Sequence, residues 1–494
     1  MATIVKDMIA SIGYTELFMA IVCFLFLHCF ATRKGHPWNW PLIGMTPLFF
    51  PVFCHLFDNI TNVLERTKGT FFFKGPWFGK RDMIFTTHPE NLSHIMSSNV
   101  SNYPKGPDTK ILFEPLGETL FTADHDEWTT QRKVFHAFLN HELMHKLTPK
   151  IHQEIIENGL FPVLDCASEK GQVLDLQDLF KRFMLDVICK IATGYNRGSL
   201  RIGFPEDEIL NALHDIHEGI LMRHLLPARL WQIQNRLKVW KERKLQKGWE
   251  KLDLIAAKYL EMRSNDDNKE EFNAISFSLP KKLLIDDIKS LLFGGTDTVS
   301  CALTWFFWNV HKNPRVRNKI REEIEANLSP GENHMFVHNQ ELNKLVYLHA
   351  TLLESMRLYP PIPLQTRTCT KMDILPSGHR VSSMMKVVLC FYAMGRMKSI
   401  WGEDCREFKP ERWISEKGSI ISVPSNKFTA FSSGPRICPG KNMALNRLKA
   451  VAATIIHNYD INIITNHPVI PKASIILDMK YGLKATISKR STIR

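Results

Sequence analysis

The apolar pattern divides the chain into a short membrane-like start and a long mixed remainder. Leu17 to Leu27 is an unbroken apolar run of 11 residues inside a mostly apolar segment from Met8 to Ala31. As a helix that segment reaches ~36 Å, enough for a ~30 Å hydrocarbon core. Glu16 and His28, unwelcome at the centre of a span, flank the apolar run and do not interrupt it. Positive charge follows the run, at Arg33 and Lys34, rather than preceding it. That order disfavours a cleavable signal peptide and keeps the downstream chain on the cytoplasmic side. Pro37-Trp38-Asn39-Trp40-Pro41 then reads as a stiff interfacial hinge. The expectation is an anchor over residues 1–31, a hinge over 32–50 and one domain over 51–494.

Helical spacing of apolar positions dominates from about Trp128 to Met262, and Ile285 to Lys312 reads as one long helix ending before Pro314. Extended segments are predicted near Thr70–Phe73, Met83–Thr86, Arg380–Cys390 and Ala473–Ile487, the last as a terminal hairpin. Ser264 to Glu271 is polar enough to be a linker. The fold class is mainly α with a small β region, an α+β domain.

Composition narrows the function. Apolar residues make up 44% and charged residues 23%, so the core is ample. The net charge of +13 is diffuse; its densest stretch, Arg236 to Lys247, reads as a solvated helix face, with an anionic membrane surface second. No base-stacking or groove-reading motif accompanies it, which argues against nucleic acid. Ten cysteines are scattered without a Cys-x-x-Cys pair, arguing against a zinc site or redox dithiol.

One cysteine stands apart. Phe431-Ser432-Ser433-Gly434-Pro435-Arg436-Ile437-Cys438-Pro439-Gly440 places a thiol on a glycine-framed loop with Arg436 two residues before it. Glycines permit close approach to a large flat group, and a thiolate is a soft metal ligand. Upstream, Gly294-Gly295 interrupts the long helix and is followed by Thr296-Asp297-Thr298-Val299. Two mid-helix glycines cost roughly 1 kcal/mol each and need a reason, either close helix packing or space beside a cofactor. Asp297 and Thr298 then offer groups able to relay protons. Trp128 and Arg132, four apart, share a helix face. Glu354 and Arg357 are three apart, and Arg412 in Pro410-Glu411-Arg412-Trp413 could join them in a buried network behind the cysteine.

In this order and spacing the motifs resemble the cytochrome P450 superfamily over essentially the whole chain. The resemblance implies a P450 fold with haem b, Cys438 being the axial ligand of its iron. It implies Trp128, Arg132, Arg367 and Arg436 as partners of the haem carboxylates, with Phe431, Gly434 and Gly440 shaping the ligand loop. Asp297 and Thr298 match the acid–alcohol pair of oxygen activation, and Glu354, Arg357 and Arg412 the structural triad. Val299 and Pro439 depart from the commoner pattern. The chain carries no dinucleotide fingerprint or flavin domain, so electrons come from outside. The resemblance implies NADPH-cytochrome P450 reductase on the endoplasmic reticulum membrane, with Lys133, Lys441 and Lys449 on a basic docking face.

Finer motifs, among them Tyr103-Pro104-Lys105-Gly106 and Asp373-Ile374-Leu375-Pro376-Ser377-Gly378-His379, resemble plant fatty-acid ω-hydroxylases and mid-chain alkane hydroxylases of cuticular wax and lipid polyester. That branch also contains phenol-coupling alkaloid enzymes. The expected reaction is hydroxylation of a long alkane or fatty acid by O2, with Phe113, Leu291, Leu292, Leu364 and Ile475 as candidate pocket contacts. Phenolic oxidation is the alternative. A hydroperoxide isomerase or dehydratase would usually lack the acid–alcohol pair, and a non-enzymatic membrane-tethered haem protein would leave that pair unexplained.

Overall fold

The computed structural model describes residues 37–264, 281–327 and 339–490 apart from single positions, together with scattered residues between 16 and 27. The anchor expected over 1–31 falls largely outside the described residues, as does most of the linker expected from Ser264. Among the described residues no helix is long and apolar enough to cross a membrane.

Seven helices position the site: α1 (His125–Leu139), α2 (Leu176–Thr193), α3 (Glu208–Leu225), α4 (Trp240–Ser264), α5 (Lys281–Lys312), α6 (Val346–Leu358) and α7 (Lys441–Asn458). Helix α5 is the axis of the domain and packs against α2, α4, α6 and α7. It stops where expected, at Pro314, and begins four residues earlier than its apolar period suggests. The two mid-helix glycines have separate causes. A Cβ on Gly295 would stand 2.6 Å from Ile188 Cδ1 of α2, so this glycine permits helix–helix contact. A Cβ on Gly294 would stand 3.0 Å from the ring of Phe121, in the loop before α1.

The sheets are small. A four-stranded sheet runs Thr70–Phe73, Met83–Thr86, Lys386–Leu389 and Gln365–Thr368 in spatial order, with the inner pair parallel and both outer pairings antiparallel. The segment expected near Arg380–Cys390 therefore divides, its first part, Arg380–Val381, pairing with Asp373–Ile374. The expected terminal hairpin needs correction. Lys484–Lys489 pairs with Tyr459–Ile463 and Val173–Asp175, while the segment before it closes only a single bridge, Pro471 to Met479. Those intervening residues are held by α5 instead. The Leu477 carbonyl accepts from Trp305 Nε1 at 2.6 Å and from Cys301 Sγ at 3.2 Å.

The basic run from Arg236 to Lys247 is not a uniformly solvated face. Its one acid, Glu242, is buried and receives Arg223 at 2.7 Å, while Lys241 pairs with Glu218.

The polar knot behind the cysteine loop is fully satisfied. Glu354 is completely buried and accepts from five donors. Arg357 supplies Nε and Nη2 at 2.8 Å, and Arg412 Nε, the Lys409 amide and Trp413 Nε1 each stand at 2.9 Å. Arg357 also donates to the carbonyls of Gly395, Cys405 and Glu407. A Cβ at Gly395 would collide with the Arg357 carbonyl, at 2.0 Å, so only glycine fits there. Removing one partner of a buried ion pair leaves the other charge uncompensated, at about 3–5 kcal/mol. Glu354→Gln is expected to lose that much stability, whereas Trp413→Phe, which removes one hydrogen bond to a charged group, should lose about 2 kcal/mol. Urea unfolding of the two variants checks the order; equal losses would shift the weight from charge to packing.

Candidate functional site

Between residues 288 and 307, helix α5 is buried at every position except Leu291, Gly294, Gly295 and Thr298. Leu291, Gly294 and Thr298, spaced by three, four and seven, share one helix face, the open wall of the site, while Gly295 beside it meets Ile188 of α2. Thr298 Oγ1 donates to the Gly294 carbonyl at 2.7 Å, which leaves its lone pairs free on that wall. Leu292 lies two residues from Gly294, on the opposite side of the helix, and is fully buried there. It belongs to the core and not to the open face.

Asp297 is also buried, on a different face from Thr298. Its Oδ1 stands 3.1 Å from Lys181 Nζ, and its Oδ2 is 3.7 Å from His217 Nδ1. Burial alone would push its carboxyl up; Lys181 and His217 beside it hold it below the usual carboxylate range. Lys181 also reaches Asp478 at 2.6 Å.

The second part of the site is the loop Phe431–Gly440, which leads into α7. Cys438 N donates to the Phe431 carbonyl at 2.8 Å and Ile437 N to the Gly434 carbonyl at 3.1 Å, so the loop is fixed by its own backbone. Gly434 has φ of +63°, and a Cβ there would stand 1.9 Å from the Met96 carbonyl. A Cβ on Gly440 would lie 4.0 Å from Cys438 Sγ, an ordinary contact, so the space beside the sulfur does not itself demand glycine there. Burial raises the Cys438 thiol, while the Gly440 amide, Arg132 and Lys441 favour its thiolate. Arg132 Nη1 donates to the Ile437 carbonyl at 2.6 Å, tying α1 to the same loop.

Beside the cysteine loop lies an excess of positive charge. Arg436 pairs with Asp124 at 2.5 Å and stacks over Trp128 with 4.7 Å to the ring centroid. Arg367 is fully buried; Nη1 donates to the Thr366 carbonyl, but Nε and Nη2 have no partner among the described residues. Burial and the nearby Arg436 push its guanidinium down to about 9. Lys105 donates to the carbonyls of Leu120 and Phe121 at 2.6 and 2.8 Å. Its ammonium is pulled well below normal by burial and by Arg367 and Arg436. Three cations thus share the single carboxylate of Asp124. A planar cofactor with a dianionic edge fits this imbalance, and the unpaired donors of Arg367 supply the test. Haem, with two carboxylates and an iron for the cysteine, has that chemistry.

Sequence reasoning missed Asp124 and the role of Lys105. Asp124 precedes α1 as an ordinary helix-start residue would, yet its carboxylate accepts from the amides of Lys105 and Gly106 at 3.0 and 2.9 Å. Nothing local marks that use. Phe121 and Phe293 were also missed. Phe293 meets Phe113, Phe121, His217 and Trp249 at ring-centroid distances of 6.1, 5.5, 5.0 and 6.1 Å. Of the other pocket candidates, Phe113, Leu291, Leu364 and Ile475 are half-buried at the margin of the core. Among the lysines expected on a docking face, Lys133 is exposed and Lys441 half-buried over the Phe431 ring. Lys449 is buried with Nζ on the Leu342 carbonyl, so it presents no charge to a partner.

Comparison with known proteins gives the same class. The chain is 41% identical over 504 residues to Alkane hydroxylase MAH1 of Arabidopsis thaliana, covering 97% of this chain and all of that protein. It is 35% identical to Noroxomaritidine synthase of Narcissus aff. pseudonarcissus MK-2014, over 97% of each chain. It is 33% identical to Cytochrome P450 86B1 of Arabidopsis thaliana, over 96% of this chain and 90% of the relative. Residues 35–482 match the family described as Cytochrome P450. With that match over most of its length, the chain belongs to the cytochrome P450 family of haem-thiolate monooxygenases.

Proposed function

We propose that this enzyme hydroxylates a long aliphatic chain, an alkane or fatty acid, in plant wax or lipid-polyester metabolism. The observation that carries the reading is the 41% identity to an alkane hydroxylase across that protein's whole length. The apolar and aromatic side chains of Phe113, Phe121 and Leu291, half-buried at the margin of the core, support it. Electrons come in this reading from NADPH-cytochrome P450 reductase. Residues 1–31 anchor the chain in the endoplasmic reticulum membrane, the hinge spans 32–50, and the single domain over 51–494 faces the cytosol. The charge order at Arg33 and Lys34 supports that topology.

The overall reaction is C–H plus O2, two electrons and two protons, giving C–OH and water. Haem supplies the iron at which O2 is activated. Cys438 would hold that iron as thiolate, and Arg132, Arg367, Arg436, Lys105 and Trp128 would hold the cofactor edge. Phe431, Gly434 and Gly440 fix the sulfur. Thr298 presents a hydroxyl on the open wall, where it can accept a hydrogen bond and pass a proton, and Asp297 beside it holds the charge that draws protons in. A phenol-coupling reaction is the second reading, supported by the 35% identity to Noroxomaritidine synthase.

Three measurements test this. Cys438→Ser should abolish the thiolate-type Soret band of the reduced carbon monoxide complex; its retention would remove Cys438 as ligand. Thr298→Ala should fold and bind haem normally yet divert electrons to peroxide or excess water, lowering product per NADPH by at least about tenfold. Unchanged coupling would take Thr298 out of proton delivery. Substrate-binding spectral titrations with a homologous series of alkanes and fatty acids should tighten by about fourfold per added methylene, or about 0.8 kcal/mol, until the channel is full. A flat aliphatic series with tight binding of a phenolic amine would replace hydroxylation by phenol coupling.

A further inference from the structure

Four titratable side chains, three of them buried and Lys181 half-buried, converge from four separate elements on the side of α5 that carries Asp297. Lys181 comes from α2, His217 from α3, Asp297 from α5 and Asp478 from the segment before the last strand. Lys181 lies between the two carboxylates, 3.1 Å from Asp297 Oδ1 and 2.6 Å from Asp478 Oδ2. One cation against two carboxylates leaves a net charge of minus one in a buried site. Three polar atoms there have no hydrogen-bond partner among the described residues: Asp297 Oδ2, His217 Nε2 and Asp478 Oδ1. An unpartnered buried polar atom costs about 1–3 kcal/mol, so a cluster keeping three has a use for them or holds water.

His217 is the group that can balance this charge. Its Nδ1 faces Asp297 Oδ2 at 3.7 Å, beyond a direct hydrogen bond and short enough for a sub-ångström closure. Burial, Lys181 and His214 oppose its imidazolium, whereas Asp297 and Asp478 favour it, and the net effect holds its proton affinity below that of an ordinary imidazole. Its helix is tied by the same residues' neighbours. Glu218, one position on, receives Lys472 at 2.7 Å and also pairs with Lys241 of α4. Movement of the roof helix α3 therefore alters the gap between His217 and Asp297.

We propose that His217 is a positioning residue for Asp297 and exchanges protons with it, coupling proton supply to the position of the roof helix. In the step, the Nδ1–H bond breaks and an O–H bond forms on Asp297 Oδ2. As it does so, Nε2 takes a proton from a hydronium ion of the solvent, which is left as water, so the ring never becomes an anion, ends as the other neutral tautomer, and one proton has moved inward. A ring flip restores the starting state. The inference rests on the reading of Asp297 and Thr298 as the proton-delivery pair and extends it to a residue no sequence motif marks.

The test uses the haem-loaded protein and three variants. His217→Phe keeps the ring contact with Phe293, and His217→Gln keeps hydrogen bonding without titration. Both should bind haem and hexadecane as the parent does. Both should lower product per NADPH by about tenfold and raise the solvent isotope effect on product formation, as loss of an outer positioning group does. Full coupling in His217→Gln would reduce the residue to a structural hydrogen bond and overturn the proposal. The third variant, Asp297→Asn, is read without turnover. Imidazole nitrogen resonances, followed against pH in the diamagnetic ferrous carbon monoxide complex, should show His217 titrating at lower pH once the carboxylate is gone. A His217 titration unmoved by Asp297→Asn overturns the coupling. If hexadecane is bound but no product forms, the hydroxylase reading fails, and this titration still decides the His217–Asp297 link.

Discussion

The constraint on which the site depends is unbalanced buried charge. Arg367, Arg436 and Lys105 meet one carboxylate, Asp124; burial lowers the proton affinity of all three, and neighbouring guanidinium groups lower it further at Arg367 and Lys105. A folded domain that keeps such an excess is completed by an anionic group. Haem carboxylates suit it because paired guanidinium donors bind carboxylate oxygens geometrically as well as electrostatically. Cofactor binding and folding are then one equilibrium, since a ligand held only by the folded chain stabilises it by mass action. The knot at Glu354 is the counterpart. There five donors saturate one carboxylate, leaving nothing for a ligand, and the loop carrying Cys438 rests on a network that is already closed.

How much was legible in the sequence follows from how local each cause is. The helix from Ile285 to Lys312, the strands Thr70–Phe73 and Met83–Thr86 and the cysteine loop are written in periodicity, β-branched and aromatic runs, and glycines. All are short-range signals. The meeting of Glu354, Arg357 and Arg412 was legible because spacing on one helix supplies two of the three. Asp124 was not, since its carboxylate caps no helix and is spent on amides some twenty residues earlier. The terminal hairpin was misread for a related reason. Residues 473–483 look extended, but α5 claims their backbone through Trp305 and Cys301, and the last strand finds its partners elsewhere. Lys449 sits in a helix whose polar residues look exposed by composition; only the packing of α7 shows that it is buried.

The Gly294-Gly295 pair shows why a motif can be read correctly and explained incompletely. Sequence offers two reasons for mid-helix glycines, packing and space, and the structure uses one for each residue. Gly295 admits Ile188 from α2, and Gly294 admits Phe121 from the loop that also supplies carbonyls to Lys105. Through Phe121, the wall of α5 and the cation cluster are parts of one contact chain. A change at either glycine would press on a neighbour that serves the other end of the site.

Helix geometry adds a last consequence for the acid and the alcohol. Adjacent residues on an α-helix diverge by about 100°, so Asp297 and Thr298 cannot share a wall. Thr298 belongs to the open face with Leu291 and Gly294, whereas Asp297 is turned toward α2 and α3 and is buried among Lys181 and His217. The alcohol is therefore exposed to the reacting space, and the acid is exposed to the rest of the protein. A proton passing between them crosses from one side of the helix to the other, which requires the Asp297 side chain to rotate or water to bridge. Lys181 opposes rotation by holding Oδ1, while Oδ2 has no hydrogen bond to break. The ion pair thus sets the resistance to that movement, and in the proposed proton delivery the groups around Asp297, more than the Asp-Thr pair itself, would decide when a proton arrives.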